Sequence, residues 1–181
     1  MNTTLPDLEA SARRAYERGR VRLGASRALF TVALPLVAAT QLGAPTHVAV
    51  MLGAVLALVF GYAQFKGRSV GRGARMGLFL GLFGALVPAM MMSSGFCCLG
   101  ASCESTCLAA CIMVGVVAGA AGALVSASDA RPLVHGGAAA VIMLLAAGLG
   151  CSAVGGAEFL GMAAGLALGG TTFFLRAARA T

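Results

Sequence analysis

Apolar residues in this chain run in blocks interrupted by charge, rather than alternating or marking one narrow helical face. The uncharged runs are 28 to 65, 76 to 103, 105 to 128, 132 to 157 and 159 to 175. A helix needs about 20 residues to cross about 30 Å of hydrocarbon, so each of the last four runs holds one span. The first run would reach about 57 Å as a single helix. Near its middle, Gly43-Ala44-Pro45-Thr46-His47 carries the Gly and Pro that interrupt helices, and it divides into two spans. The pattern predicts an all-α polytopic membrane protein, a bundle of six transmembrane helices over 28–43, 47–65, 74–96, 106–126, 133–150 and 156–175. These form one domain, 28–176, followed by a short tail, 177–181.

Residues 1–27 follow a different pattern. Leu5, Leu8, Ala12, Ala15, Tyr16 and Leu23 fall near one helical face, Pro6 suits a first turn, and Glu9 precedes Arg13 by four. The expectation is an amphipathic helix on the membrane surface, with Arg13, Arg14, Arg18, Arg20, Arg22 and Arg27 at anionic headgroups. A solvated helix packed on the protein's own loops fits the same pattern. Val37-Ala38-Ala39 imitates a signal-peptidase site, but the polar stretch before it is long for an n-region, so the segment is expected to stay attached.

Charge supplies the orientation. With six spans, the N-terminus, the loops 66–75 and 127–132 and the C-terminal tail share one side. All 13 basic residues fall there: the six arginines above, Lys66, Arg68, Arg72, Arg75, Arg131, Arg176 and Arg179. The opposite loops carry only Glu104 and Glu158. Basic residues accumulate on the cytoplasmic side, which predicts a multi-pass protein of a bacterial inner membrane with both termini cytoplasmic. The net charge of +7 is then a product of topology and calls for no nucleic-acid partner.

Composition narrows the picture further. Charged residues make up 10% of the chain and apolar residues 59%, with 26 glycines in 181 positions; soluble domains carry about 25% charge and about 7% Gly. No ionisable side chain lies near a predicted midplane, where proton relays and ion-coupled carriers place theirs. Thr31, Thr40, Gln41, Gln64, Ser93, Ser94, Ser126, Thr171 and Thr172 are the intramembrane polar groups, all able to bond to helix backbone. Gly77 with Gly81, Gly115 with Gly119, and Gly161 with Gly165 and Gly169 form small-residue faces for close helix packing. The final run, on span six, is the face best placed for contact with another subunit. Pro35 and Pro88 fall inside spans one and three, where each removes a backbone donor.

The distinctive chemistry is one cysteine-rich turn. Cys97, Cys98, Cys103, Cys107 and Cys111 lie within 15 residues on the predicted outer side, and Cys151 falls at the outer end of span five. Within a helix, Cys103, Cys107 and Cys111 would form a stripe. Three readings stay open. An even number of cysteines facing the oxidising periplasm reads as disulfides, with 15 pairings available. Thiolates and thioethers select soft ions such as Cu(I), and Met90, Met91, Met92 and Met113 lie nearby in sequence, with His47 and Glu104 as further donors on the same side. A thiol-disulfide oxidoreductase would need a low-pKa thiolate, for which no cationic neighbour is evident.

Ser93-Ser94-Gly95-Phe96-Cys97-Cys98-Leu99-Gly100 is locally similar to the paired-cysteine span of mercuric-ion transport proteins. That resemblance implies metal passed between thiol pairs, with Cys97 and Cys98 as one pair. In that family the pair belongs to the first span and is typically followed by Gly-Pro; here it follows span three and precedes Gly100-Ala101. His135 lies near the cytoplasmic end of span five, away from the cysteines, and Glu158 reads as a solvated loop carboxylate at the edge of span six. The expected function is a non-enzymatic structural or accessory subunit with a disulfide-stapled outer turn and no resident cofactor, packing in the lipid bilayer against other membrane subunits or copies of itself. Soft-metal (Cu or Hg) transport or binding, and thiol redox chemistry, are the alternatives.

Overall fold

The computed structural model describes residues 5–41, 46–93, 103–151 and 156–179. Among them are six helices and no strand: α1 (Leu5–Gln41), α2 (Thr46–Lys66), α3 (Arg68–Ser93), α4 (Cys103–Ala127), α5 (Pro132–Cys151) and α6 (Gly156–Arg179). Four contain segments long and apolar enough to cross a membrane, over Thr46–Lys66, Arg68–Val87, Cys107–Ala127 and Pro132–Gly150. Leu, Ala and Met favour helix, and in an apolar medium a helix satisfies its own backbone. Of the described turns, that between α2 and α3 falls at Gly67, and that between α4 and α5 ends where Pro132 opens α5, the position where its missing N–H costs nothing.

Two boundaries differ from the sequence pattern. No break near residue 27 separates a surface helix from a first span, because both lie within α1, 37 residues long. The stretch around the expected boundary is rich in Arg, Ala and Leu and lacks a Gly-Pro signal, so the helix propagates through the change from polar to apolar. The expected loop 66–75 is also almost wholly helical. Gly67, at φ 64°, reverses the chain together with Arg68, at φ 49°, and α3 begins at once. The Gly67 amide donates to the Ala63 carbonyl at 3.1 Å, the Gln64 side-chain amide donates to the Gly71 carbonyl at 3.0 Å, and the Arg20 guanidinium donates to the Phe65 carbonyl. A cation on the last carbonyls of a helix also complements its dipole. A side chain at position 67 would come within 2.8 Å of the Arg20 Nη2, an end of a flexible side chain that can give way, so it is the positive φ that calls for glycine there.

The bundle is built from three close pairs, α1 with α2, α3 with α5, and α4 with α6. In α3, Gly73, Gly77 and Gly81 lie against the backbone of His135, Ala139 and Met143 in that order, so α3 and α5 run parallel. A Cβ at Gly77 would overlap the Ala139 carbonyl oxygen and stand 2.8 Å from its carbon. In the second pair, Gly115 and Gly119 of α4 lie against Met162 and Leu166, while Gly165 and Gly169 of α6 lie against the Ile112 and Val116 carbonyls. The run Gly161, Gly165 and Gly169, the best placed of these faces for contact with another subunit, is covered by α4 of the same chain. A small-residue face carries no polar code for its partner; it goes to the helix that fits it most closely, and α4 presents glycines of its own.

Helix α5 sits at the centre, its span half buried. Ile142, Ala146 and Leu149 pack with Leu56, Phe60 and Ala63 of α2 and Ala74 of α3. On another face Met143 meets Ala118 and Leu166, and Ala147 meets Cys111 and Met162. Large apolar side chains such as Leu58, Phe79, Phe83, Val117, Leu124, Leu160 and Leu168 point outward, the arrangement of a bundle whose solvent is lipid.

Candidate functional site

Polar side chains gather at the two ends of the bundle, about 30 Å apart along α4. At one end, the α4–α5 turn carries Asp129, whose carboxylate is surrounded on every side. Oδ1 accepts the Ser69 hydroxyl at 2.6 Å and the Arg131 backbone amide at 3.1 Å. Oδ2 receives the Arg72 Nη2 at 2.8 Å and faces the His135 Nδ1 at 3.2 Å. The acceptance from an amide two residues on is an Asx turn, and it positions the carboxylate just ahead of the first turn of α5. The Ser69 bond foremost, then the Arg131 amide, hold the Asp129 carboxyl down at about 2 against the upward push of burial, with smaller help from the charges of Arg72 and His135.

This constellation ties α3, the α4–α5 turn and α5 together where the α3·α5 glycine contact begins, since Gly73 lies against the His135 carbonyl. Ser69 directs its hydroxyl at the carboxylate, and no described hydrogen bond links it to the imidazole, so it is not placed as an activated nucleophile. The His135 ring is buried, and its Nε2 meets no hydrogen-bond partner among the described residues. Asp129 belongs to none of the sequence motifs described above. Its signal was present: the acid stands alone between Glu104 and Glu158, three residues before a proline that opens a helix.

The arginines of this end surround a concavity of about 770 Å³ lined by Lys66, Arg68, Arg72, Arg75 and Arg131. A smaller hollow beside it, lined by Tyr16, Arg20 and Gln64 among others, shares Lys66, Arg68 and Arg75 with it. Arg20 lies over the rings of Tyr16 and Phe65 at 5.6 and 5.4 Å from their centroids, which holds α1 against the end of α2.

The opposite end carries the cysteines. Cys107 and Cys111 lie one turn apart on α4 and are both buried, Cys111 against Ala147 and Met162. Met113 and Met90 are 63% and 68% exposed. His47 is exposed at the start of α2. Glu158 is buried in the first turn of α6, not solvated in a loop as expected; the positive end of the helix dipole accommodates a carboxylate there. Cys97 and Cys98 lie outside the described residues, as do the side chains of Met91, Met92, Cys103, Glu104 and Cys151. Among the described residues no three His, Cys, Asp or Glu side chains group as a metal site would require.

Within the apolar stretches, hydroxyls turn back on their own helices. Thr31 donates to the Ala28 carbonyl at 2.6 Å, Ser126 to Gly122 at 2.6 Å and Thr171 to Ala167 at 2.7 Å. Such bonds satisfy the group without opening a polar path.

Fold and polar geometry together define a helical protein with four long apolar candidate spans, latched by an ionic cluster at one end and carrying cysteines at the other. No family model, curated protein or solved structure matches the chain.

Proposed function

We propose that the chain is a non-enzymatic structural or accessory subunit of a bacterial inner membrane, crossing it six times with both termini cytoplasmic, and that disulfides staple its outer, periplasmic turn. In this reading the basic half of α1 lies at the cytoplasmic leaflet and the Asp129 cluster closes the cytoplasmic end. The carrying observation is how the described polar groups are spent. Intramembrane hydroxyls bond to their own helices, glycine faces bring helices to backbone contact, and large apolar side chains point outward, where lipid or neighbouring subunits would cover them.

Support for the staple comes from the placement of Cys107 and Cys111, buried one turn apart near the outer end of α4. Soft-metal transport through the same cysteines is the second reading. The test is thiol alkylation and mass spectrometry on protein isolated without reductant, with metal analysis of the same sample. Cys107 is expected to be alkylated only after reduction, with few thiols reactive beforehand and no stoichiometric metal. Several reactive thiols with bound copper or mercury would establish the soft-metal reading instead. A single cysteine pair whose redox state follows that of a partner protein would establish the oxidoreductase.

A further inference from the structure

We infer that the basic concavity at the α2–α3 and α4–α5 turns binds the phosphate of an anionic glycerophospholipid. Insertion topology alone requires basic residues at this end, but not their convergence. Arg68, Arg72 and Arg75 recur at i, i+4 and i+7 on α3, so one helical face delivers three guanidinium groups. Arg131 comes to the same hollow from the α4–α5 turn, and Lys66 from the end of α2. Five cations around one concavity raise its potential, and a phosphate there lowers the mutual repulsion.

Asp129 does not line the hollow. It holds Arg72 from behind, while the Arg72 side chain stays 58% exposed, so the guanidinium is steadied with an edge still facing outward. The first turns of α3 and α5 also border the hollow, adding the positive ends of two helix dipoles to the arginines.

A lipid is favoured over a soluble phosphate by what borders the cations. Val70 and Val134 line the same concavity, and Leu133 beside them is 78% exposed on the first turn of α5. The apolar segment of α5 starts at Pro132, so the arginines lie at the edge of the apolar zone, at the depth of lipid phosphates. Acyl chains would descend along Leu133 and Val134 while the phosphate met Arg68 and Arg131. The inference rests on the membrane orientation proposed above, but not on the state of the cysteines.

The experiment is native mass spectrometry of the detergent-solubilised full chain titrated with phosphatidylglycerol or phosphatidylcholine. The wild type is expected to retain phosphatidylglycerol at least about tenfold better. Arg68→Gln with Arg131→Gln should lower that retention by about twenty-fivefold, at about fivefold for each cation removed near a membrane surface. Arg68→Lys with Arg131→Lys should restore most of it, and Arg176→Gln with Arg179→Gln, which removes equal charge from the end of α6, should change it less than about threefold. Equal retention of the two lipids would overturn the proposal, as would equal losses in the two glutamine pairs or a lysine pair that binds no better than the glutamine pair. Displacement of phosphatidylglycerol by millimolar glycerol phosphate would assign the hollow to a soluble phosphate instead. Neither glutamine pair touches a cysteine, so thiol alkylation in the same proteins reads the proposed staple separately.

Discussion

The two glycine-lined pairs and the α1·α2 pair solve the same problem at different separations. Along α3·α5 and α4·α6, parallel helices approach until a glycine faces the carbonyl of its neighbour, and a Cβ would leave no room. Along α1·α2, the antiparallel partners stand farther apart. A Cβ on Gly61 would meet the Ala28 Cβ at 3.5 Å, and one on Gly24 the Gly61 carbonyl oxygen at 3.5 Å, both ordinary van der Waals distances. Polar anchors supplement the looser pair, with Arg20 on the Phe65 carbonyl and against two aromatic rings. Inside lipid, where burying apolar surface gives no advantage over contact with acyl chains, close backbone packing holds the inner helices and specific polar ties suffice nearer the water.

The sharpest way to break this contrast is to add one methyl group to a tight pair. Gly77→Ala places a Cβ against the Ala139 backbone, and Gly169→Ala places one against the Val116 carbonyl. Neither obstacle is a flexible side chain, so the helices themselves must separate. Each substitution is expected to cost about 2–3 kcal/mol, the upper range for overpacking, visible as an early loss of helix in thermal or sodium dodecyl sulfate unfolding of the detergent-solubilised protein. A change below about 0.5 kcal/mol at both positions would mean that backbone contact does not hold these pairs.

Much of the helical layout was legible because hydropathy and charge are written residue by residue. The interruption at Gly43-Ala44-Pro45 and the turns near residues 100, 130 and 153 follow from it, and the described helices end close to them. What could not be read is which helix each glycine face meets: Gly77 and Gly165 look alike in sequence, and the choice depends on the fit between whole surfaces. The charged stretch 66–75 reads as a loop because charge marks the end of a span, yet Arg and Ala continue a helix into water as readily as Leu continues it in lipid. The role of Asp129 is hidden in the sequence for a related reason. Its partners Ser69 and Arg72 lie some 60 positions away in sequence, and the α3·α5 contact is what brings them to it.

The Asp129 cluster gives the next effect in size. Asp129→Ala removes the common acceptor of Ser69, Arg72 and His135 at the basic end of α3·α5, and should lower the unfolding midpoint by less than Gly77→Ala does. The carboxyl is held at about 2, below its ordinary 3.8, so its contribution is present above about pH 4 and is lost as pH falls through that value toward about 2. Wild-type stability should therefore fall over this acid window, and that of Asp129→Ala should fall less. Equal acid dependence in the two proteins would show that the latch does not stabilise the bundle.

The smallest effect is expected where the comparison predicts tolerance. Gly61→Ala brings a methyl group to 3.5 Å from the Ala28 Cβ, a contact that needs no helix displacement, and replaces a glycine within the α2 helix, where alanine is favoured by up to about 1 kcal/mol. The added contact and the gain in propensity act in the same direction, so the variant should unfold at the wild-type midpoint or slightly above it. Measured beside Gly77→Ala in one detergent, it separates the two kinds of interface, because both changes add the same atoms to glycines on neighbouring helices. If Gly61→Ala were as damaging as Gly77→Ala, the α1·α2 pair would be packed as tightly as the inner pairs, and the polar anchors at Arg20 would lose their assigned part in holding it.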